Sequence, residues 1–434
     1  MSRPRYAVVG GGVAGAATAV HLRKLGFDGE IVLITDEPVV PYERPPLSKQ
    51  FLAGTADADD LRVQPPGWYA DQEVDLRLGT RVEALDVAAS ELRLSGPDGG
   101  TGGSTAGGTE RLGYDAVVLA TGSRPRRLPG IDGERVHYLR TVADSTRLRD
   151  QLAAADRIGV LGAGFLGCEV AATAVELGKQ VVVFEPDPAP LRRVLGEAVS
   201  SALLDIHREH GVDIRAGDYV RELTDTGHGL LLSSNLGGHE ECDLVAVGVG
   251  ARPNVELAAE AGLAIDPDSG GVAVDEYGRT SAPNVYAIGD IAAQLHPRYG
   301  RRIRVEHHDT ALRQGAHVAG VLLGGTEPFA EAHWFWSDQY EHTIQSVGRP
   351  HDLSDLITRG SGDDRSVSAF SLVDGHIQAV ISLDRPRDVL DVRRLLFTEH
   401  RVTAEQLRDA STPVKRLVPR PARPSTQGKT AARA

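Results

Sequence analysis

Tyr6-Ala7-Val8-Val9-Gly10-Gly11-Gly12-Val13-Ala14-Gly15 opens the first structural unit of the chain. Its four leading residues make an apolar run of the length of a strand covered on both faces. The glycines follow with GxGxxG spacing, Gly10, Gly12 and Gly15 standing in the three required places. Gly10 permits a tight turn, Gly12 lets a pyrophosphate approach the backbone, and Gly15 lets a helix pack closely on the strand. That helix is expected from about Val13 to Leu25, with its N-terminal amides and positive dipole end aimed at phosphate. A second strand, Ile31-Val32-Leu33-Ile34, leads to Asp36, where an acid meets an adenosine ribose hydroxyl. A glycine triplet alone is as readily a structural turn. Strand, glycines, helix, strand and acid in this order point to a bound dinucleotide.

The pattern occurs twice. Ile158-Gly159-Val160-Leu161 is a strand, Gly162, Gly164 and Gly167 repeat the spacing, a helix follows to about Leu177, and Val181-Val182-Val183-Phe184 ends in Glu185. Return strands close both units, Tyr114 to Gly122 in the first and Leu244 to Gly250 in the second. Two such units in one chain imply two dinucleotides and a reaction between them. After the first unit, Pro41-Tyr42-Glu43-Arg44-Pro45-Pro46-Leu47-Ser48-Lys49 is stiffened by three prolines into an extended loop, suited to wall a flat ring. Arg124 to Gly130 reads as a crossover between domains. Val285-Tyr286-Ala287-Ile288-Gly289-Asp290 is a strand ending in a glycine and an acid able to accept from a sugar-like hydroxyl, with a helix expected from near Ile291. From Phe329 amphipathic strands and a final helix read as a third domain. Residues 75–94 alternate as short strands, and Ser95 to Thr109 reads as a floppy glycine-rich hairpin tip.

Composition bounds the rest. The 434 residues suffice for about three domains, and 41% hydrophobic with 25% charged residues reads as a soluble globular protein. A net charge of −13 argues against nucleic acid as the partner. No apolar run approaches the ~18 residues of a membrane span. The first residues run straight into a strand, so no signal peptide is expected, and two cysteines suit a reducing cytoplasm. Six basic residues and no acid after Ser411 predict a disordered basic tail at 418–434. No metal is expected. Glu306-His307-His308-Asp309, taken as adjacent helix residues, diverge by about 100° each. His207 and His210 share a helix face but lack a third ligand. The fold class is α/β, with two Rossmann-like dinucleotide-binding domains, the second inserted in the first, plus a C-terminal α+β domain. The expected limits are 1–123 with 252–325, 124–251, and 326–417.

Five stretches carry a resemblance: Tyr42 to Lys49, Ala287-Ile288-Gly289-Asp290, Arg304-Val305-Glu306-His307, Phe335-Trp336-Ser337-Asp338-Gln339-Tyr340, and Arg385-Pro386-Arg387-Asp388. With the two nucleotide units they make the chain, from about Tyr6 to Leu417, similar to the two-dinucleotide-binding flavoprotein oxidoreductases. Within these it most resembles the ferredoxin reductases of bacterial oxygenase systems, of the putidaredoxin reductase and rubredoxin reductase type. The resemblance implies FAD in the first site, NADH or NADPH in the second, and a C-terminal domain closing over the flavin. It implies FAD contacts from Asp36, Lys49, Val82, Arg124, Asp290 and His308, and a charged pair of Lys49 and Glu169 beside the reactive flavin nitrogen, where a lysine stabilises negative charge on reduced flavin. Around these, Gly10, Gly12, Ala14, Gly15, Arg44, Ala120, Thr121, Gly122, Gly289, Glu306 and His307 are assigned to the flavin side. Gly162, Gly164, Phe165, Leu166, Gly167, Glu185 and Gly250 are assigned to the nicotinamide side. Trp336 either lies against the nicotinamide or near the electron exit, or packs the third domain.

Two departures stand out. Relatives often carry tryptophan where this chain has His308, and an early arginine where Glu185 is followed by Pro186 and Asp187. Glu185 suits two ribose hydroxyls and repels a 2′-phosphate, so NADH is expected over NADPH. Cys168 and Cys242 form no CxxC, and Cys168 is expected to pack rather than react, which argues against disulfide reduction. Electrons then leave one at a time to a two-iron ferredoxin that serves a haem-thiolate monooxygenase or a ring-hydroxylating dioxygenase. Arg301, Arg302, Arg304 and the tail are candidates for a basic docking rim. An NADH oxidase or quinone reductase without protein carrier, and a flavin-gated signalling protein resembling apoptosis-inducing factor, remain as alternatives.

Overall fold

A computed structural model describes residues 3–96, 110–361 and 365–417. The basic tail and the glycine tract beyond Gly96 lie outside the described residues. The opening strand, Arg5–Val9, is the middle of a five-stranded parallel sheet in the order Val285–Ala287, Ala116–Leu119, Arg5–Val9, Glu30–Ile34, Val74–Arg77. Ala7, Val8, Val117, Val118 and Leu33 are fully enclosed, as uniformly apolar strands covered on both faces must be. Helix Val13–Lys24 lies on this sheet and packs against helix His308–Leu322. The close approach depends on Gly315, where an added Cβ would fall 2.4 Å from the Ala14 carbonyl oxygen.

The second unit repeats the plan. Its parallel sheet runs Asp213–Ala216, Gln180–Glu185, Arg157–Leu161, Leu244–Val247, Val136–Tyr138, again with the glycine-bearing strand in the middle. All its strands fall in sequence between Leu119 and Val285, so the first sheet is completed only after the second is finished. The chain leaves and returns side by side: Ser123–Pro125 pairs antiparallel with Ala251–Pro253. The third unit is antiparallel, in the order Trp334–Gln339, His342–Gly348, His376–Leu383, Ser366–Val373, Leu356–Ser361, and carries helices Pro386–Leu395 and Ala404–Arg408. The buried Arg359 staples its end, donating to the carbonyl oxygens of Leu407, Asp409 and Thr412 at 3.1, 2.8 and 2.6 Å.

The helix expected from Ile291 is not there. Gly289–Ile291 makes one 3-10 turn, and Ala292–His296 continues as a strand between Val272–Val274 and Arg301–Ile303. Four of its five side chains are buried, and the ladder on both edges satisfies backbone groups that a short helix would have left open at its ends. The helix follows only at His308, with His307 as its N-cap residue, so Glu306 and His307 were wrongly read as helical.

Two buried histidines lie where the units meet, His207 on helix Arg192–Glu209 and His333, and His307 is half-buried at the head of helix His308–Leu322. Burial pushes His207 and His307 down to about 4 and His333 down to about 3. Their folded values lie below the ordinary histidine value, so the unfolded chain takes up these protons first. Stability contributed this way is whole above pH ~6.5 and falls as the pH drops toward 4, by about 1.4 kcal/mol per histidine per pH unit. Thermal unfolding should therefore show a melting temperature declining steeply between pH 6.5 and 4.5, with a shallower decline in His333→Phe. A flat profile over that range would contradict it.

Candidate active site

Both glycine turns have the shapes their spacing requires. Gly10 sits at φ +121°, and a Cβ there would lie 2.1 Å from the Ala120 carbonyl oxygen, so neither the turn nor the strand contact tolerates a side chain. Gly15 and Gly167 pack their helices onto the turns: a Cβ at either would lie within 2.0 Å of the carbonyl oxygen of Gly10 or Gly162. Gly12 is different, because nothing lies within 4 Å of its Cβ direction. It opens on a cradle that a side chain would fill. Neither helix Val13–Lys24 nor helix Phe165–Glu176 carries an acid in its first turn, so both dipole ends stay free for phosphate.

The two cradles face one cavity of about 580 Å³. From the first unit come Gly12, Ala14, Ala120 and Gly122; from the second come Gly164, Phe165, Leu166 and Gly250; between them stand Gly289, Asp290, Glu306, His307 and His308. A second cavity of about 570 Å³ opens beyond the same strand ends and is lined by Gly10, Asp36, Val82, Thr121 and Arg124. The exposed Asp36 thus stands with Val82 and Arg124, where the adenosine end of the first dinucleotide was expected. Thr121 donates to the Asn254 carbonyl oxygen at 2.7 Å, and Arg124 is tied to Asn254 and Glu256.

The wall of the main cavity is charged in an ordered way. Lys49, at the end of the proline loop, reaches Glu169 on helix Phe165–Glu176 at 2.9 Å, and both side chains are nearly enclosed. Ser48 Oγ donates to Glu169 Oε2 at 2.5 Å and Ser337 Oγ donates to Oε1 at 2.6 Å. Arg44 is paired with Glu37 at 2.6 Å and donates to the Arg140 carbonyl oxygen. Asp290 Oδ2 accepts from Ser123 at 2.7 Å and from Arg140 Nη2 at 2.9 Å, while the buried Nε of Arg140 has no partner. An unspent guanidinium donor between two phosphate cradles suits a pyrophosphate. These features fit a dinucleotide in the first cradle.

Aromatic rings complete the cavity. Phe165 and Phe335 meet edge to face at 4.9 Å, and Phe335 lies 4.7 Å from the His307 ring. Trp336 lines the cavity, stacks on Trp334 at 4.9 Å and stands edge-on to His308.

Glu185 lies outside the cavity walls. It is buried at its strand end, accepting from the Ala163 amide at 2.6 Å and the Asp187 amide at 2.8 Å, and burial pushes its carboxyl up against those bonds. The nearby arginines are already matched to acids, Arg193 to Asp187 and Arg192 to Glu197. Both cysteines are buried. Burial pushes Cys242 up to about 12 and Cys168 higher still, which makes packing groups of both thiols. His207 and His210 turn their ring nitrogens to Gln339, Tyr340 and the Ile206 carbonyl oxygen. Arg304 is no rim residue: it donates to the carbonyl oxygens of Ser269 and Asp290 and pairs with Glu306, bracing the Gly289-Asp290 turn. Arg301 and Arg302 are both exposed, although Arg302 also donates to the Val274 carbonyl oxygen.

Sequence reasoning passed over Ser48, Ser337, Ser123 and Arg140. Hydroxyls carry no spacing signal, and Arg140 was hidden one residue ahead of a helix cap at Thr141.

Comparison with known proteins accords with this geometry. Residues 4–315 match the family described as pyridine nucleotide-disulphide oxidoreductase, and residues 334–418 match the reductase C-terminal family. The chain belongs to the pyridine nucleotide-disulphide oxidoreductases. It is 36% identical to rhodocoxin reductase of Rhodococcus erythropolis over 95% of this chain and 94% of that one. It is 37% identical to the ferredoxin–NAD(+) reductase component of the anthranilate 1,2-dioxygenase system of Burkholderia cepacia, over 96% and 99%. A crystal structure of the covalent putidaredoxin reductase–putidaredoxin complex superposes with a TM-score of 0.88 at 35% identity, over 96% of this chain and 98% of that one. The family implies FAD and NADH as cofactors and an oxidoreductase activity. Among the described residues no helix is long and apolar enough to cross a membrane.

The two cradles can be separated by mutation. Gly12→Val should give a folded protein, by circular dichroism and melting, that purifies without the flavin absorbance near 450 nm. Gly164→Val should keep the flavin and raise the KM for NADH at least tenfold. Retention of full flavin by Gly12→Val would contradict the assignment of the first cradle.

Proposed function

We propose that this chain is an FAD-dependent NADH:ferredoxin oxidoreductase of the cytoplasm, passing electrons from NADH one at a time to a two-iron ferredoxin that serves an oxygenase. The observation that carries the reading is the enclosed Lys49–Glu169 pair in a cavity shared by two glycine cradles. In this reading residues 1–123 with 252–325 hold FAD, 124–251 take NADH, and 326–417 form the reductase domain that closes over the flavin. FAD, when bound, supplies the exchange between a two-electron donor and a one-electron acceptor.

The chain's own residues do the rest. Gly12, the helix amides behind it, Arg44 and Arg140 hold pyrophosphate, while Asp290 accepts from a sugar-like hydroxyl through its free oxygen. Lys49 holds a positive charge against the ring, and Glu169 fixes the lysine in place. Phe165 and Phe335 keep water from the face where the nicotinamide docks. Gly164, Gly250 and Glu185 take the second dinucleotide, and Trp336 with Trp334 forms the aromatic edge toward the carrier. The buried thiols offer no relay for a disulfide. Glu185 beside Asp187, with no uncommitted arginine at that strand end among the described residues, favours NADH over NADPH.

Stopped-flow mixing tests the reading. NADH should bleach the flavin at least tenfold faster than NADPH at equal concentration. The reduced protein should then reoxidise rapidly with an acidic two-iron ferredoxin and slowly in air. Rapid reoxidation by air alone would make it an oxidase and overturn the proposal.

A further inference from the structure

Beyond Ser337 the polar contacts on Glu169 continue away from the cavity into fully enclosed protein. Gln339 Nε2 lies 3.1 Å from Ser337 Oγ, Gln339 Oε1 lies 2.8 Å from His207 Nε2, and His207 Nδ1 lies 3.0 Å from the Tyr340 hydroxyl. Ser337, Gln339 and His207 are each 2% exposed or less. Three units contribute: Lys49 and Ser48 from the first, Glu169 and His207 from the second, and Ser337, Gln339 and Tyr340 from the third. Tyr340 sits at φ +55° in the tight turn that ends strand Trp334–Gln339, a conformation that costs energy for a tyrosine and aims its ring at helix Arg192–Glu209.

The direction of every bond in this row follows from its end. A carboxylate only accepts, so the single proton of Ser337 goes to Glu169. Ser337 must then accept from Gln339, which fixes the amide with its nitrogen toward the serine and its oxygen toward His207. That oxygen needs a donor, which makes Nε2 the protonated nitrogen of His207 and leaves Nδ1 to accept from Tyr340. We infer that Tyr340, His207, Gln339 and Ser337 form a one-way row of donors that positions the Glu169 carboxylate and tempers its charge, and so sets how strongly Lys49 favours the reduced flavin. The inference rests on the reading that places Lys49 and Glu169 beside the flavin. A neutral histidine is required, and burial holds His207 in that form at neutral pH. The nearest other titratable group on the helix of Glu169, Cys168, is also neutral, so Lys49, Ser48 and the row are what balance this carboxylate.

With the serine proton directed at it, Glu169 shares its negative charge, and the ammonium of Lys49 acts on the ring with more of its own. Losing the row leaves the carboxylate less tempered, cancels more of the lysine charge, and disfavours reduced flavin. Removing the carboxylate charge does the opposite. None of His207, Gln339 and Tyr340 lines the cavity, so they are positioning residues.

The test is the midpoint potential of the protein-bound flavin, measured by spectroelectrochemistry at pH 7 on the holoprotein. Glu169→Gln should raise it. His207→Phe and Gln339→Leu should each shift the oxidised-to-reduced equilibrium at least threefold toward oxidised flavin, which is about 14 mV for a two-electron couple. His207→Gln keeps an N–H facing Gln339 and should stay within twofold of the parent. Ser337→Ala, which deletes only the last hydroxyl, gives the same sign and serves where a larger change prevents folding. Unchanged potentials in His207→Phe, Gln339→Leu and Ser337→Ala overturn the inference, as does an equal shift in His207→Phe and His207→Gln. An unmoved potential in Glu169→Gln overturns the flavin-side reading of the Lys49–Glu169 pair itself, and the inference with it.

Discussion

One carboxylate is bound by groups from all three parts of the chain. Glu169 is carried on the helix of the second cradle, ion-paired to Lys49 at the end of the first unit's proline loop, and bonded to Ser337 on the first strand of the third. A buried ion pair is a poor investment in stability, since desolvation removes most of what attraction returns. An apolar pair of similar volume would hold these units together at least as well. What it could not do is keep a fixed positive charge at the wall of a cavity between two nucleotide cradles. The constraint is therefore chemical, and much of the surrounding architecture follows from meeting it. The proline loop must be stiff enough to deliver Lys49, the helix must start just after Gly164 so that Glu169 faces inward, and the third unit must close far enough for Ser337 to reach.

The other polar cluster of the cavity wall is also held by internal pairing. Asp290, Arg140, Ser123, Arg44 and Glu37 pair among themselves and still leave an oxygen on the aspartate and a nitrogen on the arginine unspent. Groups already partnered keep their rotamers, so the remaining valences are held in place before any ligand arrives. The cysteines point the other way. Both thiols are buried and pushed far up, so a family that includes disulfide reducers here lacks a thiol at its centre.

How much of this was legible follows from what a sequence encodes. The two glycine turns were plain because Gly10, Gly12 and Gly15 answer to local geometry, and local geometry is written in consecutive residues. The insertion of one sheet within the other followed from the order of strands and return strands. The segment after Asp290 misled because a short apolar stretch fits a helix or a strand equally well. Its pairing with Val272–Val274 and Arg301–Ile303 is tertiary information. Arg304 misled in another way, since a run of arginines looks like a surface until the carbonyl oxygens of Ser269 and Asp290 are in view. Lys49 and Glu169 were reached through a resemblance rather than spacing, being 120 positions apart. The serines that hold Glu169 were missed because a hydroxyl gains meaning only from what it faces.

The most direct test of the account is a crystal structure of the FAD-loaded protein with NAD(+) bound. Pyrophosphate oxygens should lie on the Gly12 and Gly164 amides, one dinucleotide on each cradle, with the flavin and nicotinamide rings stacked in the cavity beside the Phe165–Phe335 pair. Lys49 Nζ should lie within hydrogen-bonding distance of the flavin ring while still paired to Glu169. A flavin ring lying elsewhere, or a Lys49 drawn away from it, would contradict the central claim.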